Sequence, residues 1–383
     1  MQAVILAAGE GTRVRPLTRS RPKAMIPVAN RPIIDYVISA LVQNGIRDII
    51  VVVGYRKEQV IRYLNTLDLP VTVVVQERQL GTAHALQCAE AAVQGEFLLL
   101  PGDNYIDSVS IGKIKGEENA MLVNEHPYPS NFGVVVTEGD VVKGIFEKPQ
   151  QAPSITVSTG IYSLKKDFFR FLHSTELPDA ISGMIEEGVC MRAIRAVDWQ
   201  DAIYPWDILK MNTKMLRQIP SQRAGMMSSS VVIAGPVSIG KGTTIGPHTT
   251  IKGPAVIGND CEIGPHACIM PGTSIGSRVG IEPFAFVGNS LLMDDVSIGS
   301  HSAVYDMVIG EGCLLADHTT ATSRESLLEI EGHIQKATFG AVLGDRVTSA
   351  PFTVFRNCII GNNVTVEEGR VITGQVKDGA VVM

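Results

Sequence analysis

The first candidate for chemistry in this chain is a cluster of small and cationic residues that directly follows its first apolar segment. Val4-Ile5-Leu6 is typical of a short buried parallel strand, and Ala7-Ala8-Gly9-Glu10-Gly11 follows it. Because small side chains leave the backbone N–H groups at a strand end unobstructed, a ligand can approach them closely. Thr12, Arg13 and Lys23 add hydroxyl and cationic donors, which suit several phosphate groups better than one carboxylate. The stretch therefore predicts a nucleotide site.

Two common phosphate-binding loops are excluded by the spacing of the glycines. A dinucleotide-binding loop would need a glycine where Val14 stands, and a P-loop would end in Gly-Lys-Ser or Gly-Lys-Thr, which is absent. The remaining alternative is a polar connection between a strand and a helix that binds no ligand. The presence of both Arg13 and Lys23 disfavours that alternative.

The same stretch resembles a known family. G-E-G-T-R-V-R-P-L-T, followed by R-P-K-A-M-I-P-V-A-N-R-P-I, resembles the signature of the sugar-1-phosphate nucleotidylyltransferases, which make nucleotide sugars from a nucleoside triphosphate and a sugar 1-phosphate. The resemblance implies that Arg13 contacts the leaving pyrophosphate and that Lys23 stabilises charge at the α-phosphate. It assigns the rest of the loop to nucleotide binding through Leu6, Ala7, Ala8, Gly9, Gly11 and Thr12.

A second motif, Q-E-R-Q-L-G-T-A-H-A, begins at Gln76 after the predicted strand Val71–Val75. A glutamine amide offers both a donor and an acceptor, so it can read the imide edge of a pyrimidine. The motif resembles that of bacterial N-acetylglucosamine-1-phosphate uridylyltransferases, which implies that Gln76, Gly81 and Thr82 bind the nucleotide and recognise uracil or thymine. The alternative for Thr82 is a polar N-cap of the following helix.

Two carboxylates are candidates for a metal site. Asp103, in P-G-D-N, ends a predicted strand, where a carboxylate can hold a divalent cation against phosphate oxygens, although a single strand-end Asp is more often structural. By the family resemblance, the first Mg²⁺ ligand falls on Asp103. The second falls on Asp207, within Y-P-W-D-I-L-K-M-N.

Further motifs match the side of the family's site that binds the sugar phosphate. The resemblance assigns this side to Asn104, Gly133, Glu147, Lys148, Ser158 and Thr159. The alternative is a hairpin with a turn at residues 138–140 and a solvated Glu-Lys pair. Ser158 replaces the asparagine of the N-acetylglucosamine enzymes, so both glucose 1-phosphate and N-acetylglucosamine 1-phosphate remain candidate acceptors.

The elements that must position these residues alternate between strands and helices over residues 1–222. Such alternation predicts an α/β domain with a mostly parallel sheet, which binds ligands beyond the carboxyl ends of its strands. The family resemblance makes this domain Rossmann-like. The predicted elements after the loop are a helix over 33–42, a strand over 48–53, a helix over 57–64, a strand over 71–75, a helix over 83–93 and a strand over 97–100.

From about residue 229 the composition changes to a repeat with a period of six residues. Three hexapeptides form one triangular turn of a parallel β-helix, so residues 229–383 are predicted to form such a coil, with a loop inserted at about 317–336. Resemblance to hexapeptide acyltransferases implies a left-handed coil and a homotrimer. The aliphatic residues that define the register are Ile233, Ile239, Ile245, Ile251, Ile257, Ile263, Ile269, Ile275, Ile281 and Val287, and later Ile360, Val366 and Ile372.

Acetyl transfer by the coil is an alternative that the sequence disfavours. In bifunctional uridylyltransferases a histidine base, a tyrosine and an asparagine of the coil serve acetylation with acetyl-CoA. Aligned on Ile309-Gly310, His301 falls one position from the base, Ala303 replaces the tyrosine, and Ser323 lies near the asparagine position. Because a shift of one residue turns a strand side chain to the other face, the coil is expected to assemble the enzyme rather than to acetylate. A non-catalytic regulatory or scaffold subunit remains the other alternative.

Composition limits the cellular setting and the partners. The 383 residues carry a net charge of -6, which gives no basic surface for nucleic acid. The six cysteines include no C-x-x-C pair and are expected to be free thiols in a reducing compartment. With no signal peptide and no apolar run of about 20 residues, the protein is predicted to be cytoplasmic.

Overall fold

The computed structural model describes residues 1–330 and 333–383, and the chain forms two units. The first unit contains Met1–Glu10, Arg21–Met25 and Ile33–Asp201, and the second contains Gly11–Ser20, Ile26–Pro32 and Ala202–Met383. The chain therefore leaves the first unit twice near its start. The domain boundaries at residues 222 and 229 stay a prediction.

Residues 1–201 alternate between strands and helices. The helices are α1 (Ile33–Gln43), α2 (Lys57–Leu64), α3 (Thr82–Cys88), α4 (Ser108–Ile114) and α5 (Leu177–Glu186), with 3₁₀ turns at Thr12–Val14, Leu17–Arg19, Lys23–Met25, Pro129–Asn131 and Lys166–Phe171. The strands are β1 (Gln2–Ala7), β2 (Pro27–Val28), β3 (Arg31–Pro32), β4 (Ile49–Val53), β5 (Val71–Val75), β6 (Phe97–Pro101), β7 (Asn104–Ile106), β8 (Ala120–Glu125), β9 (Gly133–Glu138), β10 (Val141–Glu147), β11 (Thr156–Leu164), β12 (Arg192–Arg195) and β13 (Trp199–Asp201).

The main sheet of the first unit has the order β5-β4-β1-β6-β11-β8-β12-β10-β9. Strands β5, β4, β1 and β6 are parallel, as predicted. The central residues of β4, β1 and β6 are buried, as in a sheet with helices on both faces, whereas those of the outermost strand β5 are only partly buried. From β11 onward most pairings are antiparallel. They include a hairpin of β9 and β10 with its turn at residues 139–140, so the hairpin named as the alternative for this stretch is present. The predicted α/β fold is therefore confirmed, with one parallel half and one mixed half.

In the part that the structure describes, the second unit contains one α-helix and many short strands. After α6 (Asp207–Leu216) the strands are β14 (Gln222–Arg223), β15 (Met226–Met227), β16 (Val232–Ala234), β17 (Val237–Ile239), β18 (Thr244–Ile245), β19 (Thr250–Lys252), β20 (Ala255–Ile257), β21 (Glu262–Ile263), β22 (Cys268–Ile269), β23 (Thr273–Ile275), β24 (Gly280–Ile281), β25 (Phe286–Gly288), β26 (Leu291–Leu292), β27 (Ser297–Ile298), β28 (Ala303–Tyr305), β29 (Met307–Ile309), β30 (Leu314–Leu315), β31 (Thr320–Thr322), β32 (Arg324–Ile330), β33 (His333–Phe339), β34 (Ala341–Leu343), β35 (Thr348–Ser349), β36 (Val354–Ile360), β37 (Thr365–Val366), β38 (Val371–Val376) and β39 (Val381–Val382).

These strands form the predicted parallel β-helix. The aliphatic residues of the hexapeptide register pair in parallel between successive turns, for example Ile257 with Ile275, and from Ile239 to Val287 they are at most 4% exposed. After residue 287 the distance along the chain between paired residues of successive turns decreases by one. Ile257 pairs with Ile275, but Ile275 pairs with Leu292, one residue earlier than the same spacing would place its partner. One turn is therefore a residue shorter, and the interior register passes to Leu292, which the period of six did not predict.

The interval predicted as an inserted loop contains a hairpin. Strands β32 and β33 pair antiparallel from Arg324 with Phe339 onward. Glu331 and Gly332, which also fall in the predicted loop, lie outside the described residues.

One face of the coil is covered by α6 and by the segment of residues 26–32. The side chain of Asn212 on α6 is hydrogen-bonded both to the segment of residues 26–32 and to the coil. Its Oδ1 accepts hydrogen bonds from Ala29 N at 2.8 Å and from Ser274 Oγ at 2.6 Å. Its Nδ2 donates to Gly272 O at 3.0 Å. Within the described ranges, no helix is long and apolar enough to span a membrane.

Candidate active site

The loop after β1 is held by the two neighbouring strands. Gly102 N donates to Leu6 O at 2.8 Å, and Tyr55 N donates to Ala8 O at 2.9 Å. A Cβ atom placed on Gly9 would meet no atom of the described residues within 4 Å. The loop is therefore fixed through its carbonyl groups, and the space beside Gly9 stays open, as a loop that receives a ligand requires.

The chain then enters the second unit at Gly11, which adopts a left-handed conformation with φ of 73°. Gly11 O accepts Val14 N at 3.0 Å and the hydroxyl of Thr18 at 3.0 Å, which closes a tight turn. Thr12 is exposed and Arg13 half-buried on the 3₁₀ turn that follows. Their roles in phosphate binding stay predictions.

Three charged side chains meet in the first unit. Lys23 Nζ lies 3.0 Å from Asp103 Oδ2 and 2.8 Å from Asp201 Oδ1, and its side chain is only 9% exposed. The backbone explains the meeting, because β13 pairs antiparallel with β7 and places Asp201 opposite Asn104, the residue after Asp103. The structure thus joins the predicted residues Lys23 and Asp103 and adds Asp201, which the sequence analysis missed.

The charge of Lys23 is set by two opposing effects. Burial lowers the pKa of the amine, but the carboxylates of Asp103 and Asp201 together raise it by more, so the pKa lies above its ordinary value. Lys23 is therefore an ammonium at neutral pH. A buried positive charge is held where two carboxylates converge.

The carboxylate pair fits a divalent cation. Among residues 1–330 and 333–383 there is no group of three or more His, Cys, Asp or Glu residues able to hold a metal. Mg²⁺ is commonly bound by one or two carboxylates, with phosphate oxygens and water completing its shell. Asp103 and Asp201 offer such a pair, at 37% and 24% side-chain exposure.

Asp207, the predicted second metal ligand, belongs to the second unit. Its Oδ2 accepts Tyr204 N at 3.0 Å, and its Oδ1 lies 3.4 Å from Lys210 Nζ. The first of these contacts is a local turn at the start of α6. The signal for Asp201 was its position at the end of a strand, and a strand-end position is also what singled out Asp103.

Gln76 and Gly81 come together after β5. Gln76 is 2% exposed, and its Nε2 lies 3.1 Å from Gly81 O and 2.9 Å from His84 Nδ1. Gly81 has φ of 111°, and a Cβ there would clash with the backbone oxygen of Thr175, so the position requires glycine.

The N-cap alternative for Thr82 is wrong, because α3 begins at Thr82 and its N-cap is Gly81. The hydroxyl of Thr82 instead donates to Glu176 Oε2 at 3.0 Å and accepts Leu177 N at 3.0 Å. Thr82 therefore ties the start of α3 to the start of α5.

Three of the predicted sugar-side residues, Asn104, Ser158 and Thr159, lie where β6 ends and β11 bulges. Asn104 Nδ2 donates to Thr159 O at 3.1 Å, while Asn104 Oδ1 is buried with no hydrogen-bond partner among the described residues. Ser158 Oγ lies 3.0 Å from the hydroxyl of Tyr162, and burial raises the pKa of that phenol to about 12. Because a buried acceptor without a partner is costly, Asn104 Oδ1 is a group that a ligand hydroxyl can satisfy.

Gly133 and Glu147 lie opposite each other on β9 and β10. Glu147 Oε1 is 2.7 Å from Lys148 Nζ, and both side chains are at least 35% exposed. Strand β9 also pairs with β11 at Val134 and Val157, next to Ser158. The sheet therefore gathers Gly133, Glu147 and Ser158 at one end of three neighbouring strands.

The histidine considered for acetyl transfer belongs to a stack of rings on one edge of the coil. The ring of His301 lies 5.0 Å from that of Phe284 and 5.3 Å from that of His318, nearly parallel to both. Ala303 and Tyr305 follow on β28, and Ser323 lies between β31 and β32. The stack continues to His266 and His248 on one side and to Phe352 on the other.

Comparisons with known proteins cover both parts of the chain. Residues 2–217 match a family model described as nucleotidyl transferase, and residues 251–377 match one described as GMPPB C-terminal domain. The chain is 36% identical to the bifunctional protein GlmU of Methanococcus maripaludis, over 100% of this chain and 97% of that protein. It is 30% identical to a bifunctional sugar-1-phosphate nucleotidylyltransferase/acetyltransferase of Sulfurisphaera tokodaii, over 99% of each. A solved UDP-glucose pyrophosphorylase from Acinetobacter baumanii matches 57% of this chain and 94% of its own, with a TM-score of 0.51 and 26% identity.

Proposed function

Because this chain belongs to the nucleotidyl transferase family, we propose that it transfers a uridylyl or thymidylyl group from UTP or dTTP to a sugar 1-phosphate and releases pyrophosphate. The acceptor is glucose 1-phosphate or N-acetylglucosamine 1-phosphate. The observation that carries the proposal is the convergence of Lys23, Asp103 and Asp201 beyond the ends of the strands.

In this reaction a phosphate oxygen of the sugar 1-phosphate attacks the α-phosphorus in line, and pyrophosphate leaves from the opposite side. Such transfers depend on positioning and on neutralising negative charge, so a covalent protein intermediate is not needed. Lys23 supplies a permanent positive charge at the α-phosphate, and Arg13 supplies one on the pyrophosphate side. The Gly9 loop offers backbone N–H groups to the triphosphate.

We assign Asp103 and Asp201 as the residues that hold Mg²⁺, because their shared contact with Lys23 Nζ brings the two carboxylates together and carboxylate oxygens are what this cation prefers. When bound, the cation neutralises phosphate charge. Asp207, the ligand that the sequence predicts, stays a prediction and serves as the comparison variant.

The acceptor side is proposed to use Asn104, Gly133, Glu147 and Lys148. Asn104 Oδ1 can accept a sugar hydroxyl, and Lys148 can pair with the sugar phosphate. Ser158 and Thr159 are proposed to position these residues. The hydroxyl of Thr159 donates a hydrogen bond to Leu122 O at 2.9 Å, so its proton is already used within the protein.

Acetyl transfer from acetyl-CoA is a second candidate, favoured by similarity over the whole chain to two bifunctional proteins. The stacked, exposed position of His301 speaks against that ring as the base for an amino group. We propose instead that the coil assembles a cytoplasmic homotrimer. A mass three times the 41.2 kDa of one chain, measured by sedimentation equilibrium, would support that assembly.

The experiment that tests the reaction is a substrate panel. Purified protein with Mg²⁺ is given UTP, dTTP, CTP, GTP or ATP against each sugar 1-phosphate, and released pyrophosphate is measured. We expect release with UTP or dTTP. No release with any pair would favour the scaffold alternative, and release with GTP or ATP alone would overturn the role given to Gln76.

A further inference from the structure

The side-chain amide of Gln76 makes contacts that decide which of its two ends can face a nucleotide base. Its nitrogen lies 3.1 Å from Gly81 O and 2.9 Å from His84 Nδ1. A primary amide nitrogen carries two N–H donors, so these two contacts use both of them. The amide oxygen is then the end that remains for a ligand.

The carbonyl of Gly81 fixes this orientation, because a carbonyl oxygen only accepts hydrogen bonds. It is held in place by Ala85 N, which donates to it at 3.1 Å as α3 begins. The amide of Gln76 must therefore turn its nitrogen toward Gly81. Since His84 Nδ1 faces the same nitrogen, it accepts a hydrogen bond, and the neutral imidazole carries its proton on Nε2.

We propose that His84 is a positioning residue that makes Gln76 an acceptor toward the base and thereby excludes cytosine donors. Uracil and thymine carry an N–H donor at N3, which the amide oxygen of Gln76 accepts. Cytosine carries a bare acceptor nitrogen at N3. Because Gly81 and His84 use both N–H groups of the amide, Gln76 has no donor to offer cytosine. The inference rests on the proposed function, which places a pyrimidine at Gln76.

A fixed amide at Gln76 restricts the choice of base more than the presence of a glutamine does. A glutamine in solution can present either end of its amide, so Gln76 alone does not distinguish an imide edge from the N3 edge of cytosine. Discrimination needs a fixed amide. Here the fixing partners are a backbone carbonyl and a half-buried histidine on the first turn of α3.

A matched pair of variants tests the role of His84. In His84→Asn the side-chain oxygen is attached to the chain as Nδ1 is in histidine, so an acceptor is retained, whereas His84→Leu places a methyl group there. We measure kcat/KM for UTP, dTTP and CTP in both variants and in the wild type. In His84→Leu we expect the preference for the better imide donor over CTP to fall by about tenfold, the order of one lost hydrogen bond. His84→Asn should retain that preference to within about threefold.

Different results would contradict the proposed donor specificity and the role of His84. A wild-type enzyme that uses CTP as well as UTP and dTTP would overturn the proposed donor specificity. A wild-type preference that persists unchanged in His84→Leu would overturn the role of His84 alone. If His84→Leu does not fold, nitrogen NMR of the wild-type histidine still decides, since a proton on Nε2 is expected and a proton on Nδ1 would overturn the inference.

Discussion

Acidic side chains serve different purposes in the β-helix and in the cluster around Lys23. In the coil, Asp294, Asp317 and Asp345 each accept a backbone N–H from the preceding turn, at 2.9, 2.8 and 2.9 Å from Ser277, Ser300 and Glu311. These contacts recur because each turn of the coil presents the same backbone donor at its corner. Asp103 and Asp201 instead converge on one buried amine, whereas Glu117 and Asp140, which also share a cation in the first unit, meet the exposed guanidinium of Arg192.

This difference gives a criterion for distinguishing structural carboxylates from functional ones. A carboxylate that repeats with the turns of the coil satisfies the backbone and needs no ligand to explain it. The contacts of the Lys23 cluster join segments up to 178 residues apart, and they hold three charges together at the cost of desolvation. Three charges gathered in this way around a buried amine, without a repeating backbone reason, indicate a functional site.

The largest effect that this comparison predicts is on turnover in Asp103→Asn and Asp201→Asn. Each change removes a negative oxygen from the pair proposed to hold Mg²⁺, so we expect kcat to fall by about 10²–10³-fold. Steady-state pyrophosphate release and the binding of Mn²⁺ followed by electron paramagnetic resonance provide the measurements.

Two control variants sharpen that test. Asp294→Asn removes a coil carboxylate, and its kcat should stay within about twofold of the wild type because an amide oxygen can still accept the backbone N–H. Asp207→Asn distinguishes the two candidates for the second ligand. If it abolishes Mn²⁺ binding while Asp201→Asn leaves binding intact, the assignment of Asp201 is wrong.

A smaller effect is expected for Lys23→Met, which removes the ammonium but keeps most of the buried side chain. We expect kcat to fall by about 100-fold, because the charge contact is strongest as the α-phosphate becomes five-coordinate. The Kd of the triphosphate should change by less than about tenfold, since the loop and other cations still bind it. Calorimetric titration and single-turnover kinetics separate the two quantities, and an equal loss in both would contradict this role.

The smallest effect is expected on the ring stack of the coil. His301→Ala removes two ring contacts and should lower the free energy of unfolding by about 0.5–1.5 kcal/mol, as measured by urea denaturation. Nucleotidyl transfer should be unchanged, and neither protein should release coenzyme A from acetyl-CoA with glucosamine 1-phosphate. His318→Ala, one turn away in the same stack, is the matched control. Robust release that is lost only in His301→Ala would show that the coil acetylates.

Much of the fold followed from local patterns. The apolar run before Gly9 and the alternation of strands and helices predicted the parallel half of the sheet, because period and turn residues are readable within a short window. The hexapeptide period predicted the coil for the same reason. After Val287 the period of six no longer predicts the interior residues. One turn there is a residue shorter, so Leu292 takes the interior position.

The sequence by itself predicted the kind of site, because a glycine-rich loop with Arg13 and Lys23 is typical of phosphate binding. Only the tertiary structure decided which side chains contact Lys23 and Gln76. Asp201 reaches Lys23 because β13 pairs with β7, and the amide of Gln76 has a single orientation because Gly81 and His84 use both of its donors. Strand pairing and the direction of a hydrogen bond depend on groups from separate elements, so no local pattern of residues fixes them.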